Sequence, residues 1–207
     1  SSSHMKALQP PDDGDSDLTR WRAAERRRLL RLREALGAAV RERRTRGLLA
    51  RIDDVVGDLV GDVRGRTIAA YAAMRGEPDL FAWGEKRGAR AARLALRVVV
   101  ARDAPLEFRT WRVGDALVAD RFGIPIPAAG EAAHPDVVVM PLVGFDRARY
   151  RLGYGGGYFD RTLAVLRPAP RTIGVGFACA ELASVRPQPH DVELDAIVTE
   201  REVLRRP

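Results

Sequence analysis

DVVVMPLVGFDRARYRLGYGGGYFDRTLA, Asp136 to Ala164, carries a strand, a long connection and a helix in one run. Val137 to Met140 is continuously apolar, as in strands buried on both faces of a parallel sheet, and Pro141 is positioned to stop it. The connection closes with RLGYGGGYFDR, Arg151 to Arg161, which has glycine at 153, 155, 156 and 157. Glycine reaches positive φ and lets backbone approach a ligand closely. Successive amides in such a turn can cradle an anion. The carboxylate just beyond, Asp160, is an oxygen donor of the kind Mg2+ prefers. From about Gly157 to Leu166 the spacing predicts a helix that buries Tyr158 or Phe159 with Leu163 and Leu166. Two commoner glycine motifs are excluded. A P-loop would end in Gly-Lys-Ser/Thr, where this chain has Gly157-Tyr158-Phe159. A dinucleotide fingerprint counted from Gly153 would need glycine at Tyr158.

Outward from this unit, strands and helices alternate. Thr67 to Met74, Leu94 to Val100, Arg171 to Phe177 and Leu194 to Thr199 read as strands, and Leu106 to Trp111 as a half-exposed one. Asp79 is placed to cap a helix running to about Gly88. From Thr19 a helix with Leu29, Leu32, Leu36 and Val40 on one stripe precedes a second with Leu48, Leu49, Ile52, Val55, Val56 and Leu59. The expected class is α/β: a layered fold with a largely parallel central sheet flanked by helices, plus an N-terminal helical pair. In such sheets ligands gather at the carboxyl ends of the strands, where the Pro141–Gly157 connection lies. One domain is expected over residues 19–207. Residues 1–18 read as an expression-vector remnant, Ser1 to Met5, followed by a disordered lead-in.

The net charge of +7 points to nucleic acid until the charge is located. Residues 20–51 hold 12 arginines against three acids, while the 156 residues after them carry a net charge of only +1. In that basic segment Trp21 is the one aromatic residue, so platforms for stacking bases are missing. The arginines read as a solvated face or as a basic wall beside an anionic ligand, and nucleic acid is not the expected partner. No apolar run is long enough to span a membrane, and no charged-then-apolar leader is evident, so a cytoplasmic location is expected. The single cysteine, Cys179, permits no internal disulfide and reads as a small buried hydrophobe. Oligomeric state is not legible.

Asp160, at the start of the predicted helix, could favour the helix dipole or hold a metal beside phosphates. In PQPHDVELD, His190, Asp191 and Asp195 lie in a turn before the last predicted strand, where they read as turn and capping residues or ligands. Glu77, between Gly76 and Pro78, sits at a strand end, where one carboxylate can orient a substrate N–H group.

Asp136 to Ala164 resembles the signature of the 5-formyltetrahydrofolate cyclo-ligase (5,10-methenyltetrahydrofolate synthetase) family. IGVGF at Ile173–Phe177, His190-Asp191 and LDAIVTE at Leu194–Glu200 fit as well, with weaker similarity in IAAYAAMRGEPD, Ile68–Asp79, and GIPIP, Gly123–Pro127. The resemblance implies an ATP- and Mg2+-dependent closure of 5-formyltetrahydrofolate to 5,10-methenyltetrahydrofolate, releasing ADP and phosphate, with reduced folate and ATP as the small-molecule partners. By position it implies that Arg151, Leu152, Gly153, Tyr154, Gly155, Gly156, Gly157, Tyr158 and Phe159 line ATP. Within that run, Tyr154 to Tyr158 would also face the reacting folate as the catalytic stretch. Ala72, Met74 and Glu77 would form the substrate wall with Tyr154 and Tyr158, and Asp160 and Asp191 would hold Mg2+. The chain departs from the family pattern on the first helix, where Trp21 and Glu25 stand at the expected lysine and arginine positions; Arg22 or Arg26 could replace them after a register shift. It departs again where a Leu-Pro strand ending becomes Leu96-Arg97. Relatives that keep the fold without the reaction, some associated with thiamine metabolism, make a nucleotide- or pterin-binding protein the alternative expectation.

Overall fold

The computed structural model describes residues 13–88 and 92–207; the vector remnant and most of the lead-in lie outside the described residues. Two long helices come first, α1 (Asp13–Ala35) and α2 (Ala38–Val60), broken at Gly37 with φ 76°. Helix α1 begins ahead of the expected Thr19, inside the stretch read as disordered, and Asp17 there accepts a hydrogen bond from Arg20 at 3.1 Å. The remaining elements run β1 (Thr67–Ala70), α3 (Phe81–Gly88), β2 (Arg93–Val98), β3 (Glu107–Thr110), β4 (Leu117–Ala119), β5 (Pro125–Pro127), β6 (Val137–Pro141), β7 (Gly144–Phe145), β8 (Arg151–Leu152), α4 (Tyr158–Val165), β9 (Arg171–Val175), β10 (Ala196–Val198) and β11 (Val203–Arg205).

Seven strands form one sheet in the order β11-β10-β9-β6-β1-β2-β3. The five inner strands are parallel, and β3 and β11 close the edges antiparallel. Alternation along β6 shows why a continuous apolar run is needed. Val137 and Val139 face a core that includes Leu48, Ile52, Val55 and Val56 of α2 and Trp83 of α3. Val138 and Met140 face the opposite core, with Phe159 and Leu163 of α4. Each fully buried aliphatic side chain contributes about 1.5–3 kcal/mol. Helix α1 packs elsewhere: Leu29 and Leu30 meet Val143, Leu152, Leu182 and Val185, beyond the carboxyl end of β6.

The α/β class, the helical pair and the strand positions stand as expected, with corrections. Strand β1 ends at Ala70, so Ala72 and Met74 belong to the following loop. Pro141 ends β6 as its last residue, still paired with Val175. Leu32 is 39% exposed, because α1 turns Leu29, Leu30 and Arg33 inward instead. Phe159, not Tyr158, is the aromatic α4 buries fully. The short hairpins β4–β5 and β7–β8 went unpredicted, since two- and three-residue strands carry too little periodicity to register.

Hairpin β7–β8 shapes the connection that leads to the glycine turn, and Asp146 pins it. Its buried carboxylate accepts from Tyr150 N at 3.2 Å within the hairpin and from Val185 N at 3.0 Å across to a separate loop. Asp146→Ala strands one buried and one half-buried amide, and chemical denaturation is expected to show a loss of roughly 1 to 3 kcal/mol.

Candidate active site

At the carboxyl ends of β1, β2 and β6 lies a cavity of about 490 Å3. Its rim and walls come from α1, the loop after β1, β2, the β4–β5 hairpin, the glycine turn and the loop around Asp191.

The glycine turn supplies one wall. Gly155 and Gly157 take φ 102° and 68°, a conformation that side-chain-bearing residues rarely adopt, and Gly157 opens α4 with no side-chain cap. The first amides of α4 are therefore available to an anion. Arg161 donates to Gly156 O at 2.8 Å and Arg26 donates through Nε to Gly153 O at 2.7 Å, so the turn is held from both sides.

The loop after β1 supplies the second wall. Arg75 at φ 52° and Gly76 at φ 77° reverse the chain, so that Glu77 Oε1 accepts from Met74 N at 3.0 Å. Tyr154 Oη donates to Glu77 Oε2 at 3.1 Å, and Arg33 Nη2 donates to Tyr154 Oη at 2.8 Å. Arg33 also reaches Arg75 O at 3.1 Å and Leu142 O at 3.4 Å. Burial pushes the Glu77 carboxyl up, against the opposing pull of the Arg97 charge. Burial and the Glu77 charge push the Tyr154 phenol up as well.

Five arginines line the cavity: Arg22, Arg26, Arg75, Arg97 and Arg151. Burial lowers the pKa of Arg151, with the Asp160 charge opposing at 4.0 Å, and burial lowers that of Arg26. The Nε atoms of Arg22, Arg97 and Arg151 are buried without a hydrogen-bond partner. Native structures seldom leave buried donors unmatched, and a charged donor is the most costly to leave so. Such a wall is chemically suited to an anionic ligand.

Asp160 and Asp191 line the same cavity with His190. Asp191 Oδ2 accepts from Arg22 at 3.1 Å and from Gln188 N at 2.7 Å. Among the described residues no cluster of three acids, histidines or cysteines could hold a metal. Mg2+ is commonly held by one or two carboxylates together with substrate phosphates. Two acids on one cationic cavity fit an ion that arrives with a phosphorylated ligand, and do not fit a resident metal centre.

Of the residues expected at a site, Met74 and every residue from Arg151 to Asp160 line this cavity together with Asp191. Glu77 stands behind Tyr154, and Ala72 is 4% exposed and does not line the cavity, because β1 has already ended and the chain has turned inward. On α1, Trp21 stacks under Arg186 at 4.2 Å and Glu25 pairs with Arg28, while Arg22 and Arg26 provide the charge at the cavity. Arg33, Arg75, Phe122 and Ile124 went unidentified. Phe122 and Ile124 stand on and beside the β4–β5 turn; Ile124 lies in the GIPIP segment that carried weak family similarity without a site role, and no sequence signal marks Phe122. Cys179 is half-buried, and burial pushes its thiol up, as expected of an inert cysteine. Among the described residues no helix is long and apolar enough to cross a membrane.

Sheet, glycine turn and arginine wall together define an α/β enzyme with a strongly cationic cleft at its strand ends. The model of the 5-formyltetrahydrofolate cyclo-ligase family matches residues 18–200. A 5-formyltetrahydrofolate cyclo-ligase of Mycolicibacterium smegmatis is 31% identical over 184 residues, covering 83% of this chain and 89% of that protein. The Escherichia coli K12 protein of the same name is 31% identical over 149 residues, 68% of this chain and 81% of its own. The solved Aquifex aeolicus 5,10-methenyltetrahydrofolate synthetase superposes with a TM-score of 0.75 at 25% identity, covering 89% of this chain and 92% of that one. This chain belongs to the 5-formyltetrahydrofolate cyclo-ligase family.

The raised Glu77 carboxyl gives a signed pH prediction. A carboxyl whose folded pKa lies above its unfolded value, ordinarily about 4.3, stabilises the fold in its protonated form. That contribution is complete below the unfolded value and is lost as pH rises through the folded one. Subtracting the unfolding free energy of Glu77→Gln from that of the unsubstituted protein should therefore give a difference that falls with rising pH in the weakly acidic range. Paired denaturant titrations at stepped pH measure it; a difference that rises with pH would refute the assignment.

Proposed function

We propose that this enzyme uses ATP to close 5-formyltetrahydrofolate into 5,10-methenyltetrahydrofolate, releasing ADP and phosphate. The observation that carries the reading is the convergence, in one cavity, of the glycine turn and five arginines, with the Arg33–Tyr154–Glu77 chain bracing its wall through Tyr154. Phosphoryl transfer asks a protein chiefly for positioning and charge neutralisation, and these groups offer both.

In this reading the turn from Gly153 to Gly157 and the first amides of α4 receive the ATP phosphates. Arg26 fixes the turn from behind through Gly153 O, and Arg151 adds a desolvated charge. Asp160 and Asp191 would hold Mg2+, which when bound offsets phosphate charge. Tyr154 is the joint between the two halves: its backbone belongs to the phosphate turn and its hydroxyl to the folate wall with Glu77 and Met74. Glu77 accepts an N–H of the reduced pterin or orients it through Tyr154. The substrate's own formyl oxygen attacks the γ-phosphorus and displaces ADP; N10 then adds to the activated carbon and gives up its proton to solvent, and phosphate leaves with the former formyl oxygen. No protein nucleophile is required, in keeping with the raised pKa of Cys179.

The purified protein with Mg·ATP and 5-formyltetrahydrofolate should produce the absorbance of methenyl-folate; absence of turnover above background would sink the reading. Thermal stabilisation by ATP without turnover would instead identify the nucleotide-binding alternative. Asp160→Asn should lower kcat/KM about tenfold or more and move half-saturation to higher Mg2+, a loss of about 1.4 kcal/mol or more of transition-state stabilisation. An unchanged Mg2+ profile would remove Asp160 from that role.

A further inference from the structure

Arg97 stands where a buried parallel strand should be apolar. It is the fifth residue of β2, flanked by Leu96 and Val98, and it is 7% exposed. Its guanidinium carbon lies 5.6 Å from the Tyr71 ring centre and 5.7 Å from that of Phe159, so two aromatic faces fix it. Arg97 Nη2 touches Met74 Sδ at 3.9 Å, a weak acceptor, and Nε has no partner. Glu77 feels its charge, but among the described residues no carboxylate lies within 4.0 Å of it.

A second buried guanidinium shares the same ring. Arg151 sits 5.1 Å from the centre of Phe159, its Nε is also unpartnered, and it feels the charges of Asp160, at 4.0 Å, and of Asp191. Two like charges held side by side in a low-dielectric wall, each with an idle donor, are unfavourable until an anion is shared between them. Both open onto the cavity that holds the glycine turn. A planar guanidinium stacked on a ring is also preorganised for the oxygens of a tetrahedral anion.

We propose that Arg97 is a phosphate-recognition residue, receiving jointly with Arg151 a phosphoryl group of the bound ligand. In the reading proposed above, on which its catalytic meaning rests, that group belongs to ATP. Arg97 adds to the glycine turn a cation that the turn's own amides do not supply.

The test compares the unsubstituted protein with Arg97→Leu and Arg97→Lys. Thermal midpoints are read in pyrophosphate and in chloride at matched ionic strength. Calorimetry then gives the affinities for a non-hydrolysable ATP analogue and for 5-formyltetrahydrofolate. Without ligand, Arg97→Leu should melt at or above the unsubstituted protein, since it removes an unpaired buried charge. Pyrophosphate should raise the midpoint of the unsubstituted protein and leave that of Arg97→Leu in place. The analogue's affinity should fall about tenfold or more in Arg97→Leu and recover in part in Arg97→Lys, with folate affinity retained. A pyrophosphate shift that survives in Arg97→Leu overturns the proposal. So does a lower midpoint with undiminished analogue binding, which marks a structural arginine, or a loss confined to folate, which marks a residue for the substrate's carboxylates. An Arg97-dependent pyrophosphate shift in a protein that turns over no folate would leave this assignment standing and defeat the cyclo-ligase reading alone.

Discussion

The guanidinium of Arg33 ties together three parts of the chain that the site depends on. From α1 it donates to Arg75 O after β1, to Leu142 O after β6 and to the hydroxyl of Tyr154 in the glycine turn. Hydrogen bonds from charged donors contribute about 1.5–3 kcal/mol each. The fork geometry of arginine lets one side chain serve all three acceptors. Tyr154 passes the constraint to Glu77, so the glycine turn and the carboxylate wall are set at a fixed separation. Two walls that belong to different βα units thus become one cavity through a residue of the N-terminal helix.

The charge gathered there is costly. Taking guanidinium groups such as Arg97 and Arg151 out of water costs several kcal/mol each, even after relaxation. The offset comes from the sheet, whose inner strands bury side chains on both faces and lock the carboxyl ends in place. The division of labour is physical: apolar packing on either side of β6 stabilises the fold, and the strand ends carry the unfavourable electrostatics that a ligand would relieve. Perturbed carboxyl and phenol groups cluster at such places for that reason.

Much of this was legible in the residues. The run Asp136–Ala164 specifies a buried strand, a glycine turn and a helix, and each lies within a residue or two of its expected position. The site's glycine wall was legible for the same reason, because Gly155 and Gly157 need the conformations the turn imposes. What stayed hidden depends on distance along the chain. Arg33 reads as one more arginine on a basic helix until Leu142 and Tyr154, more than 100 residues away, are brought to it. Helical periodicity placed Leu32 inward because it scores apolarity, and the burial of Arg33 rotates the helix away from that solution. Trp21 and Glu25 looked like losses at the cavity. Yet Arg22 and Arg26, each one residue on, meet it, since contact depends on which face α1 presents and not on alignment with a pattern.

Arg22, Arg26 and Arg33 recur at four and then seven residues, which puts them on one face of a single α-helix. That helix buries two leucines, Leu29 and Leu30, among its described residues, whereas α2 buries Leu48, Ile52, Val55 and Val56. Gly37 separates the two helices at positive φ, with open space where a Cβ would stand. Helix α1 thus offers a smaller apolar contact than α2 while carrying three of the arginines that line or brace the cavity. Local opening and global unfolding can therefore be separated here: loss of α1 alone would withdraw Arg22, Arg26 and Arg33 from the cleft while leaving the packing on both faces of the seven-stranded sheet in place.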